Sequence, residues 1–353
     1  MKVAYLLILK GAKYRSVFDK VIAQVDKWNV IGADTRLFLV TDQQYDFHRS
    51  VTTIIEGSKL QEITKLNKAI DEFSPDIVYH RLWVLSPFLI GLLNKYKLVS
   101  EINTDIDEEL LIDKYSSKKG FITYLYNAIT RRYYYKRIHG SVAVTKELVN
   151  YRGLENCLVL PNSIDVESFA YRKREMERQI PSILFIGTPG LNWHGVDLLV
   201  KFAKYAKNRI HFHVVGFNDT STTESLSNIT FHGYLPMEKY SEIARQCSIG
   251  LGTLALHRKN MMEACPLKVR EYLSAGLPSV LPYKDTAFLD ERPDWILNVS
   301  SSEDGLSKEA MEKVIEFAQE YKDYIIPKED VLKYIDSNAL EQKRVDFFSC
   351  IAK

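Results

Sequence analysis

The stretch Glu263-Ala-Cys-Pro-Leu-Lys-Val-Arg-Glu271, continuing as Tyr272-Leu-Ser-Ala-Gly276-Leu-Pro278-Ser-Val-Leu-Pro282, places two carboxylates around the start of a short helix. Pro266 suits a first helical turn, where its missing N–H leaves no bond unmade. Gly276 followed by Pro278 ends the helix and turns the chain into a strand at 279–281. The helix so predicted is about two turns long. Its amino end leaves the N–H groups of Leu267, Lys268 and Val269 unpaired and carries a partial positive charge, which suits a diphosphate, and Lys268 and Arg270 add full charges. An ionised carboxylate accepts hydrogen bonds from two adjacent ribose hydroxyls, at roughly 1.5–3 kcal/mol per charged bond. Glu271, inside the helix, is placed for that, while Glu263 precedes the helix and faces the mouth of such a site. For any one Glu pair at this spacing, solvated acids beside an ordinary surface helix are the plain alternative.

Working outward, short β-branched runs alternate with helical patterns: 3–9, 16–28, 36–40, 51–55 and 59–73, then 74–79, 98–102 and 141–144. This punctuation predicts a parallel sheet with helices on both faces. A hinge follows at Pro161-Asn-Ser-Ile-Asp165, then a charged, core-poor stretch at 171–179, and a second alternating series from Ile183. The fold class expected is therefore α/β, with two Rossmann-like, doubly wound domains whose ligand crevices, at the carboxyl ends of the strands, face a central cleft.

The opening stretch resembles the Glu-x7-Glu signature of retaining glycosyltransferases of the GT-B fold, the family-four group, in its variant Pro-Leu-Lys-x-x-Glu-Tyr-Leu-x-x-Gly-x-Pro. Other marks of that family stand in order: Leu160-Pro-Asn-Ser-Ile-Asp165, Ile183-Leu-Phe-Ile-Gly187, Trp193-His-Gly-Val-Asp197, Phe212-His-Val-Val-Gly216 and Ile229-Thr-Phe-His-Gly-Tyr-Leu235. The match is good over about residues 140–285 and loose before that. The resemblance implies an acceptor-side domain at 1–162, a nucleotide-sugar domain at 163–328, and a terminal helix at about 329–353 that packs back on the first. It implies sugar transfer from a nucleoside diphosphate donor to a glycan or lipid-linked acceptor, with bacterial surface polysaccharide assembly as the setting. Glu271 would hold the ribose, Glu263 the donor sugar, and Pro266, Leu267, Lys268 and Arg270 the diphosphate region. Tyr234 falls in the loop that lies near the base. No metal and no resident cofactor are expected, the nucleotide-sugar being a co-substrate.

The chain departs from the family at two places. His194 stands where relatives carry a lysine that clamps the diphosphate, and Thr188-Pro-Gly190 replaces an upstream arginine. A histidine donates a fixed charge only when protonated, near pH 6.5 if unperturbed; Arg258, Lys259, Lys268 or Arg270 are the other sources of charge. In the first domain Asn103 is the nearest counterpart of a histidine that touches the donor sugar, a strand-end Asn being the plain reading. Two rivals share the architecture: a nucleotide-sugar 2-epimerase and a non-catalytic glycosyltransferase-like subunit.

Three further constellations bear on function. Gly11, after the first strand, lets backbone approach a phosphate, although an ordinary βα turn reads the same way. Asp105-Ile-Asp107 has the form of a metal-holding pair but equally of an acidic helix start. Residues 118–137 hold six basic residues (Lys118, Lys119, Arg131, Arg132, Lys136 and Arg137), no acid and dense aromatics. An amphipathic helix at 118–138 touching an anionic membrane is one reading, and a helix packed on the first sheet is the other.

Composition sets the bounds. A length of 353 residues, 46% hydrophobic, suffices for two domains with substantial cores, and a net charge of +2 argues against nucleic-acid binding. The apolar run at 3–9 lacks the form of a signal peptide, and no run approaches the length of about 20 residues that a membrane span requires. The four cysteines lack close spacing, so neither zinc nor a disulfide framework is expected, and a reducing cytoplasm, at or near the inner membrane face, fits.

Overall fold

The computed structural model describes residues 1–9, 15–41, 51–54, 59–81, 84–115, 117–152, 154–166, 180–218 and 226–353. Two compact units result, one of residues 1–160 with 338–353 and one of residues 161–337.

The first unit is a seven-stranded, wholly parallel sheet. Its elements in order are β1 (Lys2–Leu9), α1 (Arg15–Ile31), β2 (Asp34–Thr41), β3 (Val51–Ile54), α2 (Lys59–Phe73), β4 (Ile77–Arg81), α3 (Pro87–Ile90), β5 (Lys97–Ile102), α4 (Ile106–Lys114), α5 (Lys118–Tyr135), β6 (Gly140–Ala143), α6 (Lys146–Arg152) and β7 (Cys157–Val159). The strand order is β3-β2-β1-β4-β5-β6-β7, so the winding reverses between β1 and β4. Residues 10–14 and 82–83, which follow those two strands, lie outside the described residues, and with them Gly11. Tyr5, Trp28, Tyr79 and Phe348 form the centre of the core, with Tyr5 and Trp28 stacked at 5.5 Å.

The second unit repeats the design with six parallel strands. It runs β8 (Ser182–Ile186), α7 (Val196–Ala206), β9 (His211–Val215), β10 (Ile229–Phe231), α8 (Met237–Gln246), β11 (Ile249–Leu251), β12 (Glu263–Ala264), α9 (Leu267–Ser274), β13 (Ser279–Leu281), β14 (Lys284–Asp285), β15 (Ile296–Asn298), α10 (Lys308–Glu320) and α11 (Lys328–Ile335). The order is β10-β9-β8-β11-β13-β15, reversing between β8 and β11. Leu198, Leu199, Phe202 and Ala206 recur at helical spacing on α7 and bury against Ile183, Phe185, Phe212 and Val214, whose alternation turns them to one sheet face.

The single terminal helix expected at 329–353 is instead two helices, α11 and α12 (Ser337–Ala352). Asp336 leaves the helical path with ψ 118° and forms a parallel bridge to Ile164, which ends α11 within the second unit. Only α12 joins the first unit. There Trp28 donates its Nε1–H to Glu341 at 2.7 Å, and Arg344 donates to the Tyr79 hydroxyl at 2.6 Å and to Glu341 at 2.8 Å. Lys97 donates to the carbonyls of Ile351 and Ala352, closing the helix end. The first boundary falls at Leu160/Pro161, because Asn162 is held by the second unit: its N–H donates to Cys265 Sγ and its side chain to the Cys265 carbonyl.

Candidate functional site

Strand order alone locates a ligand crevice in the second unit, at the carboxyl ends of β8 and β11 where the winding reverses. Their pairing ends at Leu184 and Gly250, so the next backbone groups need other partners. Tyr272 supplies one: its hydroxyl accepts from the Ile186 N–H at 2.8 Å and lies 3.3 Å from the Leu251 carbonyl, to which it donates. The ring fits because residue 250 is glycine; a Cβ there would lie 2.3 Å from Tyr272 Cδ2. The Glu-Tyr-Leu run of α9 is thus fixed to the two strands that open the crevice.

α9 spans eight residues and ends at Gly276, whose φ of +79° provides the left-handed turn that the sequence reading asked of it. Pro266 is the residue before the helix rather than its first turn, and its carbonyl already accepts from the Val269 N–H at 3.2 Å. Of the three amides expected to face an anion, Val269 is thereby removed and those of Leu267 and Lys268 are left. Both Pro266 and Leu267 are half-buried.

Lys268 is buried, and its Nζ donates to the Ile186 carbonyl at 3.0 Å and lies 4.3 Å from the centre of the Phe185 ring. Burial pulls its ammonium down to about 7, against the attraction of Glu271. Glu271 is half-buried; burial pushes its carboxyl up to about 7, opposed by a hydrogen bond from Tyr240 and by the Lys268 charge. Tyr240, on α8, was not singled out in the sequence, where a tyrosine in the first turn of a helix carries no distinguishing signal. Glu263, also half-buried, lies in the two-residue strand β12 that pairs with β14.

Arg270 does not face a ligand. It is fully buried, its Nη2 paired with Asp285 Oδ1 and 2.7 Å from Cys265 Sγ, and its Nε donates to the Asn162 carbonyl at 2.9 Å. A cation on the inner side of α9 must find its counter-ion in the protein, and Asp285 on β14 is that partner. The pair ties α9 to the β12–β14 ladder and so fixes Glu271 relative to Glu263. Its part in the site is positioning.

His194 does not supply the expected cation either. It ends a short 3-10 turn, Asn192–His194, with Nδ1 buried and without a hydrogen-bond partner among the described residues. Burial, reinforced by the nearby charges of Lys268 and Lys259, lowers its pKa to about 3, so the imidazole is neutral at physiological pH and is no substitute for a fixed cation. Arg258 is bound to Asp197 and Glu303 by several short contacts. The charge around His194 is therefore that of Lys268 and of Lys259, which is buried with Nζ 4.6 Å from the Trp193 ring centre.

The remaining candidates sit apart from this cluster. Tyr234 is 85% exposed, two residues before the Pro236 that precedes α8. Asn103, in the first unit, is half-buried and directly follows β5. Asp105 accepts from the N–H groups of Asp107 and Glu108, and Asp107 accepts from Asn127 and Arg131, both at 2.7 Å, so the two acids act as a helix start and its clamp.

Residues 180–304 match the family described as "Glycosyl transferases group 1", a span that holds both glutamates, His194 and Lys268. No curated protein sequence matches the chain. Among solved structures, sucrose-phosphate synthase from Thermosynechococcus elongatus superposes with a TM-score of 0.70 at 10% identity, over 99% of this chain and 98% of that one. Anabaena Alr3699/HepE, in complex with UDP and glucose, gives 0.66 at 12% over 99% and 100%. A glycosyltransferase from Rickettsia africae gives 0.64 at 14% over 100% and 99%. The fold is that of the GT-B glycosyltransferases. Within it, the match to the group 1 glycosyl transferase family falls in the second unit, over residues 180–304.

Proposed function

We infer that the protein is a retaining glycosyltransferase that moves a sugar from a nucleoside diphosphate to a glycan or lipid-linked acceptor. The observation that carries this is the position of Glu271 and Lys268: both lie on the one helix fixed across the reversal of the second sheet, with Lys268 bonded to the last residue of β8. In this reading Glu271, as carboxylate, accepts from the two ribose hydroxyls. Lys268, Lys259 and the amides of Leu267 and Lys268 balance the diphosphate, with the protein's own cations rather than a metal ion in that role. Glu263 contacts hydroxyls of the donor sugar, and Tyr234 lies toward the base.

The transfer is written as a front-face substitution. The bond from the anomeric carbon to the diphosphate oxygen breaks, the acceptor oxygen adds on the same face, and the departing diphosphate takes the acceptor proton. The protein's work is then to orient the two substrates and stabilise the charge that develops on the leaving group. Lys268 suits that task, since an incoming diphosphate raises its proton affinity and completes its charge only when the donor is bound.

The test is a panel of UDP-, GDP- and dTDP-sugars incubated with the full chain, with and without acceptor lipid, followed by nucleotide release and by NMR of the anomeric centre. Acceptor-dependent release with retained configuration is expected. Conversion of a donor to its epimer, inversion, or no turnover with any pair overturns the reading.

A further inference from the structure

The fifth helix of the first unit is amphipathic in the wrong sense for a surface helix. α5 begins at Ser117, whose side chain accepts from the Gly120 N–H at 3.0 Å. Its inward residues are polar. Asn127 donates to Asp107 at 2.7 Å, and the Tyr134 hydroxyl sits 2.8 Å from His80 Nε2 and 2.6 Å from Ser100 Oγ, with Asn127, Tyr134, His80 and Ser100 buried; Arg131, at the exposed edge of this face, also donates to Asp107. Its outward residues are apolar. Ile122, Leu125, Ile129 and Tyr133, spaced by three or four, form one row with Phe121 beside it; Ile129 is 79% and Ile122 66% exposed. α4, packed against α5, adds Tyr115 just beyond its end, 80% exposed and with Lys114 Nζ 5.1 Å from its ring centre.

Cations close both ends of the same row. Lys118 stands four residues before Ile122, Arg132 three after Ile129 and Lys136 four beyond that, with Lys119 beside the first and Arg137 lying 3.7 Å over the Tyr133 ring. Residues 118–137 contain no acid. The acids of α4 are Asp107, Glu108 and Glu109 in its first turn and Asp113 near its end; Asp107 is paired with Arg131 and Glu109 accepts from Thr104. Among the described residues no helix is long and apolar enough to cross a membrane.

We propose that the outward row of α5 docks on an anionic lipid surface, with Ile122, Leu125 and Ile129 at the level of the acyl chains and Lys118, Lys119, Arg132 and Lys136 among the headgroups. The charge decides between occupants. A second copy of this face brings like charges against one another, whereas an anionic leaflet meets each of them with its opposite. Tyrosines at the rim point the same way, as residues that favour the interface between lipid and water.

The experiment is co-sedimentation of the full chain with vesicles of phosphatidylcholine alone or mixed with phosphatidylglycerol, together with sedimentation velocity without lipid. Partition to the mixed vesicles, weakened by salt, is expected. Lys119→Gln with Arg132→Gln lowers it about fivefold per charge removed, and Ile122→Ser with Ile129→Ser at least tenfold, with melting temperature and nucleotide binding unchanged in both. Equal partition to both vesicle types, indifference to either double variant, or a dimer in solution that the isoleucine variant dissociates overturns the proposal.

Discussion

Glu271→Gln makes the protein more stable at alkaline pH. In the unfolded chain the carboxyl ionises near its ordinary value of 4.5, and in the folded one near 7, because burial disfavours the charged form. A group whose folded pKa is raised contributes stability that is fully present below 4.5 and is lost as pH rises through 7. At pH 8 the folded state therefore carries an ionised Glu271 at a penalty of about 3 kcal/mol, which falls to about 1 kcal/mol at pH 5. Lys268, brought down to about 7, is mostly neutral at pH 8 and offers little compensation. Glutamine keeps the shape and an acceptor for Tyr240 while removing the charge. Scanning calorimetry at the two pH values should find the transition of the second unit raised by roughly 6–12 °C at pH 8, and by much less at pH 5. A variant that melts at or below the parent at pH 8, or whose advantage grows toward pH 5, refutes the assignment of Glu271 as a strained, functional carboxylate.

Arg270→Ala leaves Asp285 buried without its partner and lowers stability by about 3–5 kcal/mol; a urea midpoint near the parent's contradicts the positioning role. Gly250→Ala drives a methyl into the Tyr272 ring and costs roughly 1–3 kcal/mol, with a parallel fall in nucleotide affinity; an unchanged affinity separates Tyr272 from the site. Because His194 is neutral down to about pH 3, His194→Ala changes nucleotide affinity by the same factor at about pH 6 and pH 8. A loss that widens toward pH 6 in calorimetric titrations shows a protonated imidazole instead.

Much of the second unit could be read from the sequence because glycine and proline mark chain direction locally: Gly276 stops α9 where its position demands, and the alternating runs translate directly into strands. What could not be read depends on which way a side chain turns. Lys268 and Arg270 are two residues apart on one short helix and look interchangeable as cations, yet the first reaches the end of β8 and the second is enclosed with Asp285, an acid fifteen positions away on a strand too short to leave a pattern. The neutrality of His194 likewise comes from burial beside two lysines that are distant in sequence. At the carboxyl terminus the periodicity runs on smoothly through Asp336, and only the bridge to Ile164 breaks the helix there. In α5 the spacing announced an amphipathic helix, but the inward face was the polar one, since Asp107, His80 and Ser100 wait beneath it.

The central claim is that α9 and its glutamates hold a nucleoside diphosphate. Isothermal titration of UDP, GDP and dTDP into the parent and into Glu271→Ala tests it most directly. The account predicts that at least one nucleotide binds the parent and that the variant, having lost two charged hydrogen bonds to ribose, binds it more weakly by at least tenfold. Equal affinity in the two proteins contradicts it.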